Sequence, residues 1–190
     1  MDRTLGLCLL ASALISGCTA DDGRNTSHSI PQGEAADSQT QIVVPGSPEP
    51  GGRAPDFVLK DLANQPLRLS NLRGTPVVLN FFASWCGPCL LELPHIREAH
   101  LRSRERGYIV LGVAVQDSRE AVRSLARDQD LTFPMVIDGD NTVAAAYNVA
   151  GPPYTFFVDK DGIIVSVVAG AMERQTLERE LQKLLNQKSS

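Results

Sequence analysis

Hydrophobic and polar positions divide the 190-residue chain into three regimes. An apolar run from Leu5 to Ile15 comes first. A polar, breaker-rich stretch from Thr19 to about Gly52 follows, with almost no apolar periodicity. From about Arg53 onward the pattern becomes regular. Two short alternating runs, DFVLKDL and PLRLSNL, are separated by Ala63-Asn64-Gln65 and predict a β-hairpin. TPVVLNFFAS is rich in β-branched and aromatic residues and predicts a buried strand. A helix is expected from about Gly87 to Arg104, with a kink or break at Pro94, which has no N–H to donate. YIVLGVAV predicts a second buried strand. DSREAVRSLARDQ predicts a helix, with Asp117 and Glu120 spaced like a capping box. FPMVID predicts a short strand and TVAAAY a short helix. YTFFVD and IIVSVVAG flank Lys160-Asp161-Gly162 as a second hairpin. Leu177, Leu181, Leu184 and Leu185 fall on one face of a last helix.

The order of elements is β-hairpin, β, α, β, α, β, α, β, β, α. Alternation of β and α implies a parallel central portion, and the late hairpin adds antiparallel strands. The expected fold is α/β: a central mixed sheet flanked by helices, with an added N-terminal hairpin.

The first regime is too short to span a bilayer and fits the apolar core of a signal peptide. It ends in Leu14-Ile15-Ser16-Gly17-Cys18, small residues just before a cysteine. This resembles a bacterial lipobox, which implies a signal peptide over residues 1–17 and lipidation of Cys18 as the membrane attachment. Residues 18–52 then read as a flexible tether, because so polar a segment cannot bury enough surface to offset its ordering entropy. Residues 53–190 form the domain. A net charge of −4 with no Lys/Arg cluster sets nucleic-acid binding aside.

Four cysteines are present. Cys8 leaves with the signal and Cys18 takes lipid, so Cys86 and Cys89 are the free thiols, in a compartment where disulfides persist. Four roles compete for this pair. Zinc usually needs four ligands, and no second cysteine pair accompanies His28, His95 and His100. A disulfide of purely structural purpose would close too small a loop to remove much unfolded-state entropy. Copper delivery would want a histidine and wider spacing. Redox chemistry fits best, since the pair lies between a strand and a helix. Cys86 at the helix N-terminus meets unsatisfied N–H groups and the positive dipole end, which favour a thiolate. Cys89, one turn on, can resolve a mixed disulfide. Gly87 and Pro88 allow the tight entry into the helix. Trp85 is expected to cover one side of the pair.

WCGPC after VVLNFFAS resembles the thioredoxin superfamily. With the lipobox, tether and extra hairpin, the domain from about Arg53 to Gln187 resembles the membrane-anchored TlpA/ResA/DsbE-like thiol–disulfide oxidoreductases. The resemblance implies a thioredoxin-like fold, no cofactor beyond the Cys86–Cys89 dithiol, and no metal. It implies an enzyme in the bacterial cell envelope that reduces client proteins, such as apocytochrome c or a copper-site protein of cytochrome oxidase. A membrane thiol-electron donor would supply the electrons, and the protein would act as a monomer. Pro153, in YNVAGPPYTFFVDKDG, matches the family's cis-proline, although Pro152 before it lacks the N–H usually present there. Glu92 matches a glutamate beside the dithiol, where a buried carboxylate could exchange protons with Cys89. Asn80 replaces thioredoxin's buried aspartate and cannot titrate. A thiol peroxidase and a copper chaperone are the alternatives. Peroxiredoxins usually carry a threonine or serine three residues before their reactive cysteine, and this chain has Ala83 there.

Overall fold

The computed structural model describes residues 42–187. Cys8, Cys18, the signal peptide expected over residues 1–17 and His28 lie outside the described residues. Among the described residues, eight strands form one mixed sheet: β1 (Ile42–Val44), β2 (Asp56–Asp61), β3 (Pro66–Arg68), β4 (Val77–Phe82), β5 (Ile109–Val115), β6 (Met135–Asp138), β7 (Tyr154–Val158) and β8 (Ile164–Ala169). Four helices accompany them: α1 (Gly87–Arg106), α2 (Arg119–Asp128), α3 (Thr142–Ala146) and α4 (Arg174–Leu185). The strand order is β1-β2-β6-β5-β4-β7-β8, with β3 paired to β2. The expected mixed sheet with an N-terminal hairpin is present.

β4 lies at the centre and is buried at every position. It runs parallel to β5 and antiparallel to β7. Alternation along β4 sends Phe81 to one face, where it meets Tyr147 beyond α3 and Phe156 from β7. The Tyr147 hydroxyl donates to the carbonyl of Pro55 at 2.7 Å, so this buried aromatic cluster keeps its polar atom satisfied. Asn80 points to the opposite face, toward α1. α1 and α4 share that face and are tied by Arg102 and Arg106, which both pair with Glu178. On α4, Leu177, Leu181 and Leu184 are buried and Leu185 is partly buried, as their spacing predicts.

Four details differ from the sequence reading. The described structure includes part of the segment read as tether. β1 pairs antiparallel with β2 in the register Val43↔Phe57. Ser47 N–H then donates to Arg53, and the Gly51 N–H and Gly52 carbonyl pair with Ile164. The three β-branched residues Ile42-Val43-Val44 suit a strand and Val43 packs against the core, but so short a run shows no alternation and its pairing is made by backbone groups. Gly46 is required in this segment, because a Cβ there would lie 2.4 Å from the Arg53 carbonyl oxygen. Second, α1 runs over Gly87–Arg106 with Pro94 inside it and without the break that is one of the two outcomes expected there. Pro94 is exposed, so the acceptor it leaves unpaired one turn back can be hydrated. Third, Leu69–Leu72 forms a 3₁₀ turn, not a continuation of the hairpin. Ser70 is held there through its N–H and hydroxyl by Asp56. Fourth, Ser118, not Asp117, caps α2, accepting from Ala121 N–H at 3.1 Å.

Candidate active site

The site forms where β4 hands over to α1. Cys86 is the N-cap of α1 in extended conformation, and its Sγ accepts the Cys89 N–H at 3.2 Å. Pro88 occupies the first turn, where its missing N–H removes a donor the helix could not use. Gly87 has open space around its Cα. Cys86 and Cys89 are joined as a disulfide, with Cα atoms 5.3 Å apart. Cys86 retains 4% exposure and Cys89 none, so an incoming partner reaches Cys86 first.

The second wall comes from the strand antiparallel to β4. Register Phe81↔Tyr154 places the residues just before β7 beside those just after β4. The Pro152–Pro153 peptide is cis, at the position the sequence indicated. The Pro152 carbonyl oxygen lies 3.5 Å from Cys86 Sγ. Trp85 is 58% exposed beside the pair, and its Nε1 donates to the Gln116 carbonyl at 3.2 Å. It therefore stands at the surface, not in the core.

Beneath the disulfide, one turn further along α1, Glu92 is buried with 1% exposure. Its Oε1 accepts from Asn80 Nδ2 at 2.8 Å, and its Oε2 accepts from Met172 N–H at 2.9 Å. Burial pushes this carboxyl above the usual range, and the hydrogen bonds from Asn80 and Met172 offset only part of that rise. Asn80 Nδ2 also donates to Thr155 Oγ1 at 3.0 Å, directly across the β4–β7 pair.

Sequence reasoning missed three supports. Asp117 accepts from Ser84 N–H at 2.6 Å, Ser84 Oγ at 3.1 Å and Ser118 N–H at 2.9 Å, and so braces the loop carrying Trp85 and Cys86. Only the capping pattern drew attention to Asp117, and it suggested a different task. Gln116, in left-handed backbone with φ of 49°, turns its carbonyl to Trp85. Thr155 could have been found by strand parity, since it lies two residues after Pro153. Among the described residues, no group of three or more His, Cys, Asp and Glu gathers to hold a metal ion. No described helix is long and apolar enough to cross a membrane.

A mixed sheet, a Cys-X-X-Cys pair capping the helix after its central strand, and a cis-proline beside the outer cysteine define a thioredoxin-like thiol–disulfide oxidoreductase. The chain belongs to the AhpC/TSA family, whose model matches residues 50–167, more than half of its length. It is 40% identical over 134 residues to the thiol-disulfide oxidoreductase ResA of Geobacillus kaustophilus, covering 70% of this chain and 77% of that relative. Among solved structures it is similar to a secreted Mycobacterium tuberculosis disulfide oxidoreductase homologous to E. coli DsbE, at 27% identity and a TM-score of 0.62, covering 67% of this chain and 96% of that one. It is also similar to the exposed lipoprotein thioredoxin Etrx1 of Streptococcus pneumoniae, at 30% identity and a TM-score of 0.60, covering 68% and 99%.

Proposed function

We propose that this oxidoreductase works as a lipid-anchored disulfide reductase of the cell envelope, acting on proteins whose cysteines must be reduced before they take haem or copper. The observation that carries the reading is the position of Cys86 Sγ, between the Cys89 N–H at the α1 N-terminus and the Pro152 carbonyl. In the reduced protein the helix end favours a Cys86 thiolate. That thiolate attacks a client disulfide. A Cys86–client bond forms, the client S–S bond breaks, and one client thiolate leaves. Cys89 gives its proton to the Glu92 carboxylate and attacks Cys86 Sγ. The Cys86–Cys89 disulfide closes, and the client departs with both sulfurs reduced. A membrane dithiol donor then restores the pair by the same exchange in reverse.

Trp85 and the backbone of Pro152 and Pro153 form the walls against which a client segment lies, and Gly87 and Pro88 set the helix entry. Two features support reduction over oxidation: the Gly87-Pro88 insert matches that of the reductant thioredoxin, and Glu92 offers Cys89 a proton acceptor. Buried Ala83 brings no hydroxyl near Cys86, which disfavours a peroxidase. Anchoring through Cys18 and action as a monomer complete the proposal, and the lipoprotein relative from Streptococcus supports the anchor.

Equilibration of the dithiol with glutathione tests the direction. A potential near that of thioredoxin, about −270 mV, is expected; one near about −120 mV makes the protein an oxidant. A Cys89→Ser variant should accumulate clients as mixed disulfides on Cys86, identified by mass spectrometry. If Cys86→Ser accumulates them instead, the assigned roles are reversed.

A further inference from the structure

Glu92 has two hydrogen-bond partners of different kinds. Met172 offers Oε2 a backbone N–H, which can only donate. Asn80 offers Oε1 an amide, which can donate through Nδ2 or accept through Oδ1 after a half-turn of the side chain. In the carboxylate arrangement Nδ2 serves both Glu92 and Thr155, while buried Oδ1 has no protein partner. That is an expensive way to place a fully buried amide. The Thr155 hydroxyl can also reverse, since it both accepts and donates.

We infer that Asn80 is a reversible positioning residue whose amide turns over when Glu92 gains or loses its proton, with Thr155 as its pivot. The inference rests on the reading of Glu92 as proton acceptor for Cys89. When the Cys89 S–H bond breaks and its proton passes to Glu92, the new O–H bond belongs on Oε1, because Oε2 faces a fixed donor. Asn80 then presents Oδ1, accepting from the Glu92 O–H on one side and the Thr155 O–H on the other. Nδ2 moves to the place Oδ1 left. Two hydrogen bonds exist in each state and one amide group is unpartnered in each, so neither protonation state is favoured by bond count. An aspartate at position 80 would instead add a second titrating group to the pocket. Asn80 lets Glu92 take up and release a proton in a dry site without leaving the carboxyl unpaired.

The charged and titratable surroundings are few. Cys89 and His95 lie one turn to either side of Glu92 on α1. β4 and β7 contribute the neutral Asn80 and Thr155, and the segment before α4 contributes a backbone N–H. Among the described residues Glu92 forms no ion pair, so its state is set by burial first and by these neutral groups second.

The test is NMR on the reduced, full-length protein, with ¹³C-labelled Glu and ¹⁵N-labelled Asn. The Glu92 carboxyl carbon and the Asn80 side-chain amide are followed from low to high pH. The expected result is one shared midpoint. Contacts between the Asn80 Nδ2 protons and Thr155 side-chain protons should appear above it and be lost below it. In Glu92→Gln, whose amide can donate to Oδ1, the Asn80 resonances should stay at their low-pH position at every pH. If the carboxyl titrates while the Nδ2–Thr155 contacts persist throughout, Asn80 is a fixed donor and the inference is wrong, with the role of Glu92 intact. If Glu92→Gln leaves the Cys89 thiol titration unmoved, the role of Glu92 fails and the inference falls with it.

Discussion

Asp117→Ala should loosen the reactive loop and lower stability together. The carboxylate accepts three hydrogen bonds, and two of them reach across the chain to Ser84, immediately before Trp85. Hydrogen bonds to charged groups contribute about 1.5–3 kcal/mol each. Ser84 is only half-buried, so water recovers part of the loss. Taking the low end for the two Ser84 bonds gives a cost of about 2–3 kcal/mol, or a fall in Tm of about 4–12 °C for a protein of this size. Asp117→Asn keeps one acceptor oxygen and should lose about half as much. Trp85 is the only tryptophan in the chain, so its fluorescence reports this loop without labelling. The Trp85 Nε1 bond to Gln116 depends on the same brace, so Asp117→Ala should lower the anisotropy of its emission and shift it to the red. Turnover with a disulfide substrate should fall as well, because Cys86 is no longer held at the helix N-cap. Urea unfolding within about 0.5 kcal/mol of wild type, with unchanged Trp85 anisotropy, would refute the argument.

Three further outcomes follow from the geometry. Glu92→Gln should leave stability nearly unchanged at pH 4 and raise it at pH 8. The folded carboxyl titrates above its ordinary 4.5 because it is buried, so wild-type stability from this group is present below that value and lost as pH rises through the folded midpoint, at about 1.4 kcal/mol per pH unit of elevation; a gain that urea titrations find equal at both pH values would contradict this. Tyr147→Phe removes the donor to the buried Pro55 carbonyl and should cost about 1–3 kcal/mol by denaturant unfolding, with little change in redox activity. Gly112→Ala places a Cβ 2.8 Å from Phe82 and 2.9 Å from Phe133, and should cost about 1–3 kcal/mol, read as a lowered calorimetric Tm.

Much of this architecture was legible in the sequence because it follows from periodicity. The continuous apolar run of β4 marks a central strand, and the leucines of α4 mark its buried face. Cys86, Cys89 and the cis-proline position follow from spacing and resemblance. What escaped depends on tertiary register. Asn80 and Glu92 were each singled out, yet their contact depends on which face of β4 meets α1. Thr155 joins them only because β7 pairs with β4 at that residue. Asp117 sits in a pattern that two physical tasks share, capping a helix or bracing a neighbouring loop, and Ser118 beside it took the first. β1 is three residues long, and its β-branched Ile42-Val43-Val44 is too short a run among polar and breaker residues to mark a strand by alternation.

The register between β4 and β7 also decides where this protein can be lengthened. Cys86 and Pro152 meet because their strands are antiparallel neighbours, although 66 residues separate them. Because β4 and β5 are parallel, with Val77 beside Ile109, the turn at Gly107 lies at the far end of the sheet from the disulfide. Gly107 has a left-handed backbone, φ 73°, and nothing near its Cα. A guest peptide or reporter domain inserted there would leave the two walls of the cysteine site in register. One extra residue between β4 and Cys86, or between Pro153 and β7, would shift one wall past the other. The chain thus has a tolerant end and an intolerant end, and its redox chemistry sits at the intolerant one.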